Sequence, residues 1–149
     1  MRYVHTNLIA RDWRQLAAFY QTVFGCTPAG PERDLRGPAI DAATGLHDAH
    51  IRGVHLRLPG WGDDGPTLEI FSYAPGAEGP APTINRPGLG HLAFAVEDLA
   101  ATRRLILDAG GGEIGDVVIL PVPGAGTVTF VYLTDPEGNI IELQRWRSG

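Results

Sequence analysis

The strongest constraint on this chain is that it repeats itself once. His5, Asp12 and Gly25 recur as His91, Asp98 and Gly111, each 86 residues further on. A period of this kind has to be read before any single element, because it decides the architecture. Each copy opens with a short apolar stretch carrying one histidine, and an aspartate follows seven residues later. Asp12 and Asp98 are placed as N-caps, able to accept bonds from the free amides of a first helical turn. After Asp12, the residues Trp13, Leu16, Ala17, Tyr20, Val23 and Phe24 fall on one helical face. Leu99, Thr102, Ile106 and Ala109 mark the matching stripe in the second copy. Gly25 and Gly110 stand where a left-handed residue would end each helix.

Strands follow both helices. In residues 51–58, Val54, Leu56 and Leu58 alternate with His55 and Arg57, the period of a half-buried strand. Residues 66–73 close the first copy, while 117–120, 127–133 and 139–146 form the second set, with Asp135-Pro136-Glu137-Gly138 as a turn into the last. Each copy therefore reads β-α-β-β-β. The second strand of the first copy lies somewhere in the weakly periodic residues 27–50. The expected organisation is a single α+β domain, 1–149, with module 1 at about 1–74, a Pro- and Gly-rich linker at about 75–88 and module 2 at about 89–149.

Composition narrows the function. The formal charge is −5 with no Lys/Arg cluster, which excludes a nucleic-acid binder working by phosphate neutralisation. The single cysteine cannot form an internal disulfide, and Cys26 reads as a small packing residue. No apolar run approaches the ~20 residues that span a bilayer, and the opening residues lack a run of signal-peptide length. The expectation is a cytoplasmic protein with a small-molecule substrate, without nucleic acid or membrane as partners.

Two glutamates stand in matching closing strands: Glu69 in Leu68-Glu69-Ile70 and Glu142 in Ile141-Glu142-Leu143. Both are flanked by large apolar residues. Because successive side chains alternate faces, each glutamate points away from the apolar face of its strand. The same parity places Val4 and Leu8 in the core, with His5 and Asn7 opposite, and sets His91 beside the small Ala93 and Ala95. Singly, each of these residues is a common feature of a solvated sheet face. Together, His5, Glu69, His91 and Glu142 occupy corresponding positions of a repeat and offer two imidazoles and two carboxylates to a divalent metal.

These residues resemble the vicinal-oxygen-chelate superfamily, which includes glyoxalase I, methylmalonyl-CoA epimerase, extradiol dioxygenases and fosfomycin- and bleomycin-resistance proteins. The resemblance is carried by residues 88–98, by residues 132–143 and by Phe19-Tyr20 with Val23-Phe24-Gly25. It implies two tandem βαβββ modules forming a cupped mixed sheet around one metal ion, zinc, nickel, cobalt, manganese or iron, held by His5, Glu69, His91 and Glu142. The closest ligand pattern is that of glyoxalase I, in which the equivalent of Glu142 is regarded as the base. By resemblance, then, Glu142 and Glu69 are the expected catalytic residues, Glu69 as ligand and second acid/base. The ion would stabilise an enediolate or enolate of a small oxo, thioester or hemithioacetal substrate.

Alternatives are an epimerase acting on a methylmalonyl-CoA-like thioester, a non-catalytic small-molecule-binding resistance protein, and an extradiol-type dioxygenase. Methylmalonyl-CoA epimerases commonly carry glutamine where Glu69 stands, and extradiol dioxygenases use two histidines and one carboxylate on iron. By strand parity Asn7, Thr67, Phe71, Tyr73 and Gln144 line the substrate cup. Arg52 and Arg57 could grip an anionic group but read more simply as rim residues. His47, His50 and His55 have no partner in the other copy and read as ordinary exposed imidazoles. Residues 121–126 form either a lid or a plain hairpin loop. Single chains of this family usually pair, so a homodimer is expected.

Overall fold

The computed structural model describes residues 1–148. The chain divides into two compact units, Met1–Gly79 and Pro80–Gly149.

In the first unit, β1 (His5–Ile9) leads into α1 (Trp13–Phe24), then β2 (Thr27–Pro28), β3 (Arg33–Arg36), α2 (Pro38–Thr44), β4 (His50–Arg57) and β5 (Thr67–Ala74). The sheet runs β1-β5-β4-β2, with β3 also paired to β4. β1 lies parallel to β5, and the remaining pairs are antiparallel. The second strand position is thus split into β2 and β3, both on the same edge of β4.

α1 forms where its spacing predicts. Asp12 Oδ1 accepts from the amides of Arg14 and Gln15 at 3.0 and 3.1 Å, and Gly25 ends the helix at φ 69°. A residue with a side chain pays a penalty in that left-handed conformation, and glycine does not. The helix lays Leu16 and Tyr20, both fully buried, over the sheet face made by Leu56, Leu68 and Ile70. Burying side chains of this size contributes roughly 1.5–3 kcal/mol each. Ser72 ties the helix entrance to β5, its hydroxyl donating to Ala10 O at 2.7 Å and accepting from Trp13 N at 3.1 Å.

The second unit repeats the plan with β6 (Leu92–Ala95), α3 (Leu99–Asp108), β7 (Gly112–Glu113), β8 (Val118–Val122), β9 (Gly126–Thr134) and β10 (Ile140–Arg147). Its sheet runs β6-β10-β9-β7, with β8 also on β9 and β6 parallel to β10. Asp98 caps α3 by accepting from Ala101 N at 2.9 Å. Ile106 of α3 is fully buried with Val131, Leu133, Ile141 and Leu143. The chain is α+β, two repeated β-α-β-β-β modules in which the second strand is interrupted.

Some local expectations change. Residues 27–50 contain α2, a helix with no buried residue that starts at Pro38 without a side-chain cap. Val4, expected in the core, is more than half exposed and lies before β1. α3 passes through Ala109 (φ −89°) before Gly110 takes a positive φ of 89°. Residues 121–126 bridge β8 and β9 as a hairpin turn closed by Ala125 N donating to Val122 O. Among the described residues no helix is long and apolar enough to cross a membrane.

Gly53 of β4 faces Phe71 of β5, and a Cβ there would lie 2.0 Å from Ile70 O and 2.3 Å from the Phe71 ring. The missing side chain is what lets that ring lie over the strand. Gly53→Ala should destabilise the fold by about 2 kcal/mol or more, read as a lower urea midpoint at unchanged slope.

Candidate metal centre

The pairing of β5 decides which groups surround Glu69. The parallel partner of Glu69 is Asn7 on β1, and its antiparallel partner is His55 on β4. All three side chains project from one face of the sheet, opposite the face on which Leu56, Leu68 and Ile70 pack. Glu69 Oε2 accepts from Asn7 Nδ2 at 2.7 Å and lies 3.5 Å from His5 Nε2. Its Oε1 lies 2.8 Å from His55 Nε2. One donor atom from each of His5, His55 and Glu69 falls within 4.8 Å of the others. The other ring nitrogen of His55 contacts Thr67 Oγ1 at 3.3 Å. His55 also meets His5 and Phe71 edge-on, with ring centroids 5.8 Å apart in each case.

From sequence His55 reads as an ordinary exposed imidazole, because the second copy holds no matching histidine. The signal was present in the alternation of β4, which puts His55 on the polar face; the register that brings it to Glu69 was missing.

The second unit builds a related group. Glu142 Oε2 is 2.9 Å from His91 Nε2. The antiparallel partner of Glu142 is Tyr132 of β9, whose hydroxyl hydrogen-bonds the carboxylate, and its parallel partner is Ala93 of β6. The His91 and Tyr132 rings are 5.2 Å apart. Tyr132 therefore stands where His55 stands in the first unit, and Ala93 where Asn7 stands.

The structure thus brings His5 to Glu69 in the first unit and His91 to Glu142 in the second. Asn7, Thr67 and Phe71 touch the first cluster. Arg57, the register partner of Thr67, is held by Asp63 at 3.1 Å and by Pro28 O at 2.8 Å. Tyr73 lies further along β5 from the cluster, opposite Ile51. Gln144 shares the parity of Glu142, but its Oε1 accepts from Trp146 Nε1 at 2.7 Å. Arg52 is exposed, and its odd-even position sets it on the other face from His55. His50 binds Asp34 at 2.8 Å, a hydrogen bond that holds the Asp34 carboxyl below its ordinary value, and His47 pairs with Asp48 in solvent. Cys26 is buried, and burial pushes its thiol up to about 11, as suits a packing residue.

Imidazole nitrogens and carboxylate oxygens are the donors that first-row divalent ions accept. Donors at 2.0–2.2 Å from one ion lie about 3.0–3.5 Å apart when adjacent. The His5–Glu69, His55–Glu69 and His91–Glu142 separations of 3.5, 2.8 and 2.9 Å fall on or close to that spacing. Both His–Glu pairs fit such an ion.

The sequence profile of the glyoxalase/bleomycin resistance protein/dioxygenase superfamily matches residues 2–143. The chain belongs to this superfamily. Among solved structures of the glyoxalase/bleomycin resistance protein/dioxygenase fold, a glyoxalase family protein from Bacillus cereus aligns over 100% of this chain and 94% of its own, at 19% identity and a TM-score of 0.76. A domain from Frankia sp. aligns over the same shares at 21% identity and a TM-score of 0.62. A fosfomycin resistance protein from Listeria monocytogenes, complexed with Mn(II) and 1S,2S-dihydroxypropylphosphonic acid, aligns over 95% of this chain and 90% of its own, at 19% identity and a TM-score of 0.53. No curated protein matches the sequence significantly. Superfamily membership therefore brings the fold and the presence of metal-dependent members, while one fold of this kind supports several reactions.

Burial pushes the His55 pKa below its ordinary 6.5, outweighing the Glu69 charge that raises it. The folded chain then takes up this proton less readily than the unfolded chain. Stability is full above 6.5 and declines as the pH falls from 6.5 towards the lower folded value. In chelator-treated protein, wild type should lose more unfolding free energy than His55→Gln between pH 7.5 and 5.5. Parallel losses in urea titrations across that range would remove His55 from the acid response.

Proposed function

We propose that the protein is a divalent-metal-dependent lyase or isomerase of glyoxalase I type, acting on a small oxo, thioester or hemithioacetal compound. The observation that carries this reading is the recurrence of a His–Glu contact at corresponding strand positions of both units. His5 with Glu69, and His91 with Glu142, are the proposed metal donors. A bound divalent ion supplies Lewis-acid stabilisation of negative charge developing on substrate oxygen.

Glu142 is the proposed base that accepts the carbon-bound proton next to the substrate carbonyl and returns it elsewhere. His91 and the Tyr132 hydroxyl fix the orientation of that carboxylate. Burial and the neighbouring Glu142 charge raise the Tyr132 pKa above its usual value, so the phenol stays a donor at neutral pH. Glu69 serves as ligand and second acid/base, steadied by the Asn7 amide. Asn7, Thr67, Phe71, Tyr73, Arg57 and Gln144 are the proposed contacts to substrate, and the working protein is proposed to be a cytoplasmic homodimer.

One observation favours a second reading. The first unit gathers two imidazoles and one carboxylate, a donor composition suited to non-haem iron and oxygen chemistry. Oxygen uptake with catechols and ferrous iron would support an extradiol-type dioxygenase over the lyase.

Glu142→Gln should keep the fold and the urea midpoint within about 1 kcal/mol. It should lower metal-dependent exchange of solvent deuterium into a 2-oxo or hemithioacetal substrate by a factor of about 10² to 10⁴, the share a general base supplies. An unchanged exchange rate would take Glu142 out of the mechanism.

A further inference from the structure

The first unit holds a donor that the repeated His–Glu pattern does not contain. We infer that His55 is a direct protein ligand of the divalent ion, gripping it together with His5 and Glu69. This rests on the metal-dependent reading above and extends it by one named ligand on a third strand, β4.

Geometry supplies the first argument. The Nε2 of His55 and the Nε2 of His5 approach opposite oxygens of one carboxylate, at 2.8 and 3.5 Å. All three donor atoms lie within 4.8 Å of one another. Two of the three separations are already near those of adjacent ligands on one first-row ion. The His5 side chain is 40% exposed, which sets its ring on the open side of the cluster.

The second argument is the way His55 is held. Metal-binding histidines engage their second ring nitrogen with a neighbouring oxygen, which fixes the ring and its tautomer. Thr67 Oγ1 occupies that place beside Nδ1, leaving Nε2 directed at the cluster. Asn7 plays the corresponding part for Glu69, fixing Oε2 through its amide.

Charge supplies the third. Glu69 is mostly buried, with 13% of its side chain exposed, and its ion-pair partners are both imidazoles. Arg57, two residues beyond His55 on the same face, is bound to Asp63 and Pro28 O. A carboxylate removed from water without a full positive charge beside it is costly, and a divalent cation at this point offsets that cost. In the second unit the matching position holds Tyr132, which gives Glu142 a proton-bearing donor in place of a nitrogen ligand.

The rival role for His55 is to orient Glu69 by hydrogen bonding alone. Metal-stripped full-length protein is titrated with Zn(II) in competition with a chromophoric chelator, and the histidine rings are followed by long-range proton–nitrogen spectra. The expected result is that the His55 and His5 Nε2 resonances shift together to metal-bound values. His55→Gln and His55→Phe should both weaken Zn(II) binding by more than the roughly hundredfold that loss of a merely supporting partner costs at most. Zn(II) binding with the His55 ring signals unmoved, or full affinity in His55→Gln, would overturn the inference and leave the metal-dependent reading standing. No Zn(II) binding by wild type would overturn both.

Discussion

The site depends on the register of β5 between β1 and β4. With Glu69 opposite Asn7 on one side and His55 on the other, one carboxylate receives an amide and an imidazole from two different strands. A slip of one residue would turn Glu69 towards α1, beside Leu16 and Leu56, and would carry Leu68 and Ile70 out of the core. An ionised carboxyl there would lack partners, at a cost of several kcal/mol. Burial of Val54, Leu56, Leu68 and Ile70 is therefore also what holds the odd-numbered donors in place. Core packing and site geometry are two faces of one pairing.

The second unit keeps this grammar and changes the words. Its register is set at the turn before β10, where the buried Asp135 accepts from the amides of Glu137 and Asn139 at 2.9 Å each and from Asn139 Nδ2 at 2.8 Å. That turn aligns Ile140 with Thr134 and so brings Glu142 opposite Tyr132. Where the first unit places Asn7 and His55 beside its carboxylate, the second places Ala93 and Tyr132. Duplication conserved the position of the acid and varied the company it keeps.

Much of this was legible in the residues themselves. The helices at Asp12 and Asp98, the closing strands and the His–Glu pairs all rest on local rules: caps, the 3.6-residue stripe and strand alternation. What stayed hidden has particular causes. α2 presents no apolar stripe, and Gly37 before it offers no capping side chain, so its seven residues look like loop. Val4 matches the strand parity, yet it lies before β1, where its carbonyl still accepts from Thr67 N at 3.0 Å while its side chain stays exposed. His55 was visible as a polar-face residue, but its match to Glu69 depends on how the intervening loop, rich in Gly and Asp, closes the β4–β5 hairpin. Alternation fixes the face of a side chain and leaves its cross-strand neighbour open. Symmetry between the copies, the guide to the other four donors, pointed away from His55 because its counterpart is a tyrosine.

The same difference in company bears on how labour is divided between the two carboxylates. Glu69 has both oxygens engaged, Oε1 by His55 and Oε2 by Asn7 and His5. Such a group suits holding a cation. Glu142 faces one imidazole and one phenol, with the small Ala93 as its parallel partner. A proton-transfer group must be oriented, which His91 and Tyr132 provide, and a neighbour as small as Ala93 puts no bulky side chain in the way of substrate. The proposed roles, ligand for Glu69 and base for Glu142, follow from the different neighbours that the two strand registers supply.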